Sequence, residues 1–364
     1  MEIVWFIIGA VALVVLFITL FRKIRPWWKK LLMILLSLIV LGFAAFQVFI
    51  PIHPMPDVTG DFAVTTSKES FYYETDQPEY ETTEGEREVP VTIWHPENID
   101  EVNGQLVLFS HGSLGVSDSN DSLFTELASH GYVVASLAHP YHSFVATLED
   151  GSSIMIDQEY LQSVLSSQNT EDLDTVMNDF REWSQMHETD LTQVIDQIQA
   201  DDVENEFIQA TNTDELLLMG HSLGGSSVLA LARERDDIIA VVVLEGPFIG
   251  DIEGINSEED GYEFNDEPYP VPILHIYSDA TWDALSADEL DGWVIYEQNW
   301  NHIHSDDDNY QNVHIDGSGH IGLTDLHRVS PRLVNLFDGG LNTTSHEEVL
   351  TQINESVLEF VEEQ

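Results

Sequence analysis

Two uncharged apolar runs open the chain, IVWFIIGAVALVVLFITLF over residues 3–21 and LLMILLSLIVLGFAAFQVFI over 31–50. At 1.5 Å rise per residue, a helix over the first reaches about 28 Å, close to the hydrocarbon thickness of a bilayer. The chain then becomes patterned. From 62 to 73 and from 88 to 95 apolar and polar residues alternate, which predicts half-buried antiparallel edge strands. Next come QLVLFSHG (105–112), GYVVASLAHP (131–140), ELLLMGHS (215–222), IIAVVVLEGP (238–247) and VPILHIYSD (271–279), continuous apolar runs that each end in a small or polar residue. Runs of this kind separated by helix-length segments are what a mostly parallel sheet with helices on both faces requires. Helices are predicted over 123–129, 172–198 and 222–235. The stretch from 150 to 213 exceeds an ordinary crossover and predicts a helical insertion, and the acidic, glycine-rich 250–270 reads as a loop.

Charge adds an orientation. The formal net charge is -53, from 65 acidic and 12 basic residues. Five of the basic ones, Arg22, Lys23, Arg25, Lys29 and Lys30, share the short RKIRPWWKK segment between the apolar runs with Trp27 and Trp28. Cations and interfacial aromatics mark a cytoplasmic loop, so both flanking ends belong outside. Residues 1–50 are therefore predicted to form a transmembrane hairpin with spans 3–21 and 31–50, and 51–60, with Pro51, Pro54 and Pro56, a stiff stalk. Residues 61–364 form one globular domain on the extracytoplasmic side of the cell membrane. A secretory signal cut near Gly42-Phe43-Ala44 is the competing reading. The acidic domain should repel nucleic acid and anionic headgroups, and its carboxylates keep it solvated in salt. The absence of cysteine excludes a disulfide framework, a thiolate metal site and a cysteine nucleophile.

The chemistry centres on ELLLMGHSLGGSSVLALA, residues 215–232, in which Ser222 has Gly220 before it and Gly224 after it. An apolar strand precedes the pentapeptide and a helix follows it. That is the context in which G-x-S-x-G exposes a nucleophile on a tight elbow at the carboxyl end of a parallel strand. A serine hydroxyl needs a histidine to take its proton and a carboxylate to orient that histidine, in chain order Ser, acid, His. His320, in the glycine-containing loop of NVHIDGSGHIGLTD, is the predicted base, and His314 inside the strand-like part is predicted to be packed. Glu245, ending VVVLE, is the preferred acid, with Asp279 and Asp283 as fallbacks; a common later acid position in such hydrolases is Thr281 here. The His111-Gly112 turn predicts an oxyanion hole from the N–H groups of Ser113 and Leu223. The Ser113 hydroxyl adds polarity there or stabilises the turn. His302 and His304 lack a firm third ligand and read as exposed loop histidines, so no metal and no cofactor is expected.

REVPVTIWHP (87–96), LVLFSHGSLG (106–115), ELASHGYVVASLAHPYHS (126–143), GHSLGG (220–225), VVLEGP and GSGHIGLTD together resemble the plasma-type platelet-activating-factor acetylhydrolases and their bacterial relatives among the α/β-hydrolases. The resemblance spans roughly residues 60 to 330. It implies an α/β-hydrolase fold and a calcium-independent serine esterase that releases short or oxidised acyl chains from glycerophospholipids, or a general carboxylesterase. In that family the acid follows the same strand as Glu245 and is usually aspartate. The loop after His111-Gly112 departs from the family's. Amide or polyester cleavage on the same residues, and a catalytically silent binding module, are the alternatives.

Overall fold

The computed structural model describes residues 2–75, 77–83, 85–167, 172–200, 203–256, 261–290, 294–305, 307 and 309–364. Helices α1 (Glu2–Phe21) and α2 (Trp27–Phe49) pack on each other where Gly9 meets Ala44 and the Trp5 and Phe43 rings meet edge to face at 5.3 Å. Their remaining apolar side chains face outward, and both helices are long and apolar enough to cross a membrane. A helix that is apolar all round needs protein or lipid about it. Residues 51–60 do not stand off as a free stalk. The extended, proline-rich backbone keeps its N–H groups unpaired locally, and the domain accepts them. His53 N–H donates to the Arg328 carbonyl at 2.9 Å, Thr59 N–H to Glu126 at 3.0 Å, and Gly60 N–H to Ser129 Oγ at 3.2 Å.

Eight strands build one sheet: β1 (Val64–Glu74), β2 (Glu86–Pro96), β3 (Gln105–Ser110), β4 (Val133–Leu137), β5 (Asn212–His221), β6 (Ile238–Leu244), β7 (Ile273–Ser278) and β8 (Tyr310–Ile315). Their order is β1-β2-β4-β3-β5-β6-β7-β8. β2 runs antiparallel to both of its neighbours and every other adjacent pair is parallel. Of the two predicted edge strands only β1 lies at an edge. Pairing on both sides buries β2 along nearly its whole length, so its alternation does not mark a solvent face.

Helices close both faces. On one side α5 (Leu173–Gln199) contributes Leu191, Val194, Ile195 and Ile198, and α6 (Leu223–Glu234) contributes Val228, Leu229 and Leu231. On the other, α3 (Asp121–Ser129) and α7 (His346–Glu362) bury Leu123, Phe124, Leu127, Val349, Ile353, Val357 and Phe360. The 3–4 residue spacing of these positions is the stripe an amphipathic helix turns to a core. The predicted insertion, 150–213, carries the second strand of a short hairpin (Val145–Thr147 with Ser153–Met155), a helix α4 (Gln158–Ser167), all of α5 and one further helical turn, Glu206–Gln209; 168–171 and 201–202 lie outside the described residues. The predicted 250–270 loop instead carries a second hairpin, Ile252–Asn256 with Gly261–Phe264, with 257–260 outside the described residues. Ile252 and Tyr262 bury against Ile249 and Met177, and this apolar packing outweighs the local acidity.

Between β2, the turn after β4, and α5 lies a buried charge pair. The Arg87 guanidinium is forked onto Asp190 at 2.8 and 2.7 Å, and neither side chain has any exposure. Tyr73 Oη–H donates to Asp190 at 2.7 Å and the Pro140 carbonyl accepts from Arg87 at 3.2 Å. Removing one member strands the other charge without water, a loss of about 3–5 kcal/mol in comparable pairs. Arg87→Ala in the detergent-solubilised full chain is therefore expected to lose stability on that scale in chemical denaturation. Arg87→Met combined with Asp190→Leu should recover most of it, because no lone charge remains. A single variant as stable as wild type would refute the pair's structural role.

Candidate active site

β5 delivers Ser222 to the carboxyl end of the sheet and α6 begins at the next residue. Ser222 has φ 53° and ψ -120°, a backbone conformation unfavourable for a side chain other than hydrogen. Two hydrogen bonds hold it there: its N–H donates to the Leu244 carbonyl at 2.9 Å, and its carbonyl accepts from Ser226 at 3.0 Å. The helix can come this close because position 224 has no side chain. A Cβ on Gly224 would lie 2.1 Å from the Ser110 carbonyl oxygen, and one on Gly220 would lie 2.4 Å from the Gly224 backbone. The result is a half-buried serine on a tightly held turn.

The structure brings Ser222, His320 and Glu245 into one hydrogen-bonded chain. Ser222 Oγ lies 2.9 Å from His320 Nε2, and His320 Nδ1 lies 2.7 Å from Glu245 Oε2. Glu245 is fully buried at the end of β6, with φ 53°. Its carboxylate also accepts from Ser278 N–H at 3.0 Å, lies 2.8 and 2.9 Å from the Ser278 hydroxyl, and accepts from the Thr281 hydroxyl. Burial alone would raise its pKa. The His320 contact and these hydroxyls outweigh that and hold it well below the usual carboxylate range. Burial likewise disfavours the His320 imidazolium, yet the Glu245 hydrogen bond and charge hold the His320 pKa above its ordinary 6.5. The His320 loop is anchored from behind: Asp338 accepts from the N–H groups of Ile321 and Gly322, each at 3.0 Å, and Asn342 Oδ1 from Gly319 at 2.9 Å.

A second chain of the same types lies close by. Ser110 Oγ is 3.0 Å from His139 Nε2, and His139 Nδ1 is 2.9 Å from Asp190. All three side chains are fully buried, whereas 32% of the His320 side chain is open to solvent. The electrostatics differ too. Burial lowers the His139 pKa by more than the Asp190 hydrogen bond and charge raise it, and the nearby Arg87 charge lowers it further. Among the described residues no Lys or Arg bonds Glu245, and its hydrogen bond and charge raise the His320 pKa. Exposure and charge thus separate two arrangements that distances alone do not.

The predicted oxyanion donors flank Ser222. Leu223 heads α6, where first-turn N–H groups have no partner within the helix. The Ser113 turn touches the elbow, since a Cβ on Gly112 would lie 2.9 Å from Ser222 Cβ. Among the described residues, neither the Ser113 nor the Leu223 N–H donates to another group of the chain. The fallback carboxylates are elsewhere. Asp279 bonds His314 Nε2 at 2.8 Å and Gly317 N–H at 3.0 Å, and Asp283 is exposed. His314 is stacked on Trp282 at 4.8 Å. Asp279, His314 and Asp316 bring potential ligand atoms within 4.8 Å of one another, but the Asp279–His314 hydrogen bond already occupies two of them. His304 is exposed at a helix end. His302 is not an exposed loop residue: it lies in a helix, Glu297–Ile303, and stacks on Tyr310 at 3.6 Å, because the aromatic neighbours Phe248 and Tyr310 cover its ring. Sequence reasoning missed Ser278, Asp338 and Asn342, which carry no motif. Thr281 was visible only as a position where an acid was absent.

Among solved structures, a ferulic acid esterase from Streptomyces cinnamoneus is 17% identical with a TM-score of 0.60, the match covering 83% of this chain and 89% of that one. A dienelactone hydrolase-like promiscuous phosphotriesterase from metagenomic libraries is 15% identical with a TM-score of 0.41, over 71% of this chain and 84% of that one. At these identities the first likeness speaks for the fold alone, an α/β-hydrolase. No protein with a curated description matches the sequence. The family model for platelet-activating factor acetylhydrolase, isoform II, matches residues 80–364, more than half of the chain. With that match over the segment that carries the elbow, the buried acid and the histidine loop, the chain belongs to the platelet-activating factor acetylhydrolase isoform II family of hydrolases.

Proposed function

We propose that the protein is a membrane-anchored serine esterase acting on short-chain or oxidised acyl esters such as platelet-activating-factor-like phospholipids. The observation that carries the reading is the Ser222–His320–Glu245 chain on a strained, half-exposed elbow. In this reading Ser222 Oγ attacks the ester carbonyl while its proton passes to His320 Nε2. The tetrahedral oxyanion is held by the N–H groups of Ser113 and Leu223. Collapse breaks the bond to the alcohol, which leaves with the proton from His320. Water then repeats the sequence on the acyl-enzyme and the carboxylic acid departs. Glu245 keeps His320 in the tautomer that accepts at Nε2 and stabilises the imidazolium. Family membership supports the ester class; the short-acyl substrate rests on the family's name and is tested directly. The cationic loop between α1 and α2 supports a hairpin anchor with residues 61–364 outside the membrane.

Ser222→Ala should lower turnover of a short nitrophenyl ester by about 10⁵- to 10⁶-fold without changing the melting temperature. Retention of a tenth of wild-type activity would remove Ser222 from the mechanism. An acyl-chain-length series measured beside a platelet-activating-factor analogue tests the substrate class: a steep fall beyond a few carbons is expected, and a flat profile favours a general carboxylesterase.

The pH dependence follows from the raised His320 pKa. The working base is the neutral imidazole, so kcat/KM should fall as pH drops through a midpoint above 6.5. Glu245→Gln removes the charge that raises this pKa. Its acid limb should therefore move to lower pH while the plateau drops by about 10²- to 10⁴-fold. Asp279→Asn should stay within about tenfold of wild type on the same ester, and the reverse ranking would transfer the acid's role to Asp279.

Because the natural chain has no cysteine, single introduced thiols report topology cleanly. A membrane-impermeant label should reach a cysteine placed just after Pro51 in intact cells and fail to reach one beside Pro26. The opposite pattern inverts the orientation.

A further inference from the structure

The turn that supplies the Ser113 N–H carries a second group aimed by its surroundings. Tyr160, on α4, is 4% exposed, and its ring lies flat on His142 at 3.8 Å and 1°. It also packs with Trp183 and with Leu223, the residue after Ser222, and Leu114, the residue after Ser113, borders the same cluster. A buried phenol must find an acceptor for its proton. Burial raises the Tyr160 pKa, so the hydroxyl stays protonated. His142 beneath it is pushed down to about 3 by burial and, next, by the Arg87 charge, so the ring face it offers is neutral. The partner of Tyr160 Oη–H is Ser113 Oγ at 3.1 Å. Ser113 therefore accepts from Tyr160, and its own single proton is left to point elsewhere.

Gly112 sets the direction. A Cβ there would lie 2.9 Å from Ser222 Cβ and 2.8 Å from His221 Nδ1, so the backbone entering Ser113 lies directly against the elbow. Leu114 then reverses the chain at φ 65°. The turn that holds Ser113 therefore lies against the elbow, and the Ser113 N–H and hydroxyl belong to one residue of that turn.

We infer that the Ser113 hydroxyl is a third oxyanion donor, aligned by Tyr160, which acts as a positioning residue. The inference rests on the esterase reading above. It assigns Ser113 a catalytic side chain as well as a backbone donor, and gives the α4 insertion a role in the chemistry. Donors fixed before the reaction stabilise the developing charge more than water does, and loss of one such side-chain donor costs on the order of 10²- to 10³-fold in turnover elsewhere.

The test uses the full chain in detergent with a short nitrophenyl ester, a trifluoromethyl ketone whose hydrate-like adduct carries an oxyanion, and a fluorophosphonate label. Ser113→Ala should lower kcat by about 10²-fold with KM within about threefold, and weaken the ketone in proportion to the loss in kcat. Ser113→Thr, which keeps the hydroxyl, should recover a large part of the activity. Tyr160→Phe keeps the ring and its stacking; it should lower kcat by about tenfold and add little to Ser113→Ala, because both act through one hydroxyl. Melting temperatures should stay near wild type throughout. A kcat for Ser113→Ala within threefold of wild type, additive losses in the double variant, or losses that follow a falling melting temperature overturn the proposal. Failure of the fluorophosphonate to label Ser222 in the wild-type protein overturns the esterase reading and this inference with it. Labelling at Ser222 with unchanged kcat in Ser113→Ala overturns only the inference.

Discussion

Two backbones touch where Gly224 lies on the Ser110 carbonyl, and the site is built on that contact. With no Cβ at 224, the start of α6 sinks against the ends of β3 and β5, and the chain must reverse within one residue. Ser222 takes the strained conformation and pushes its hydroxyl out of the sheet. The same contact brings the Ser113 turn beside the hydroxyl, because Ser110 and His111 are the residues α6 presses on. Strain of this kind persists only where neighbours over-determine it. Here the Leu244 and Ser226 hydrogen bonds and the α6 core residues do so.

Around the elbow, burial and charge together set the histidines apart. Six of the histidines near or beneath the sheet ends, His111, His139, His142, His187, His221 and His275, are held below their ordinary pKa, with burial the largest cause in each. His320 moves the other way because, of these seven, it is the one hydrogen-bonded to the Glu245 carboxylate. Asp190 also favours the His139 imidazolium, but complete burial outweighs it and the Arg87 charge works against it. The buried histidines are left as neutral hydrogen-bonding pieces of a scaffold. Among these seven, His320 alone combines a raised pKa with partial exposure.

The N-terminal hairpin is tied to the same scaffold. The Ser330 hydroxyl and the Arg332 guanidinium donate to the Phe49 and Val48 carbonyls at the end of α2, and a few residues on Asp338 holds the His320 loop. Carbonyls at the end of a helix have no partners within it, and these two find theirs on the domain. The segment from 330 to 342 thus links the apolar helices to the site, on a domain whose strongly acidic composition would otherwise hold it away from an anionic surface.

What the sequence determined by itself is local. Apolar runs and their endings located the strands, the glycines around Ser222 marked the elbow, and the uncharged stretches marked the two helices, because period, composition and turn chemistry act over about ten residues. The carboxylate was legible only as a choice, since Glu245 and Asp279 both end apolar strands. Tertiary structure decided between their surroundings: Asp279 is engaged by His314 and the Gly317 N–H, and the Ser278 and Thr281 hydroxyls converge with His320 on Glu245. That β2 is interior, that His302 is stacked, that Ser110, His139 and Asp190 imitate the site without being reachable, and that Tyr160 meets Ser113 were likewise invisible in sequence. Each depends on partners far apart in the chain, and which strand ends and loops become neighbours is settled only when the sheet order, its twist and the helices that cover it are in place.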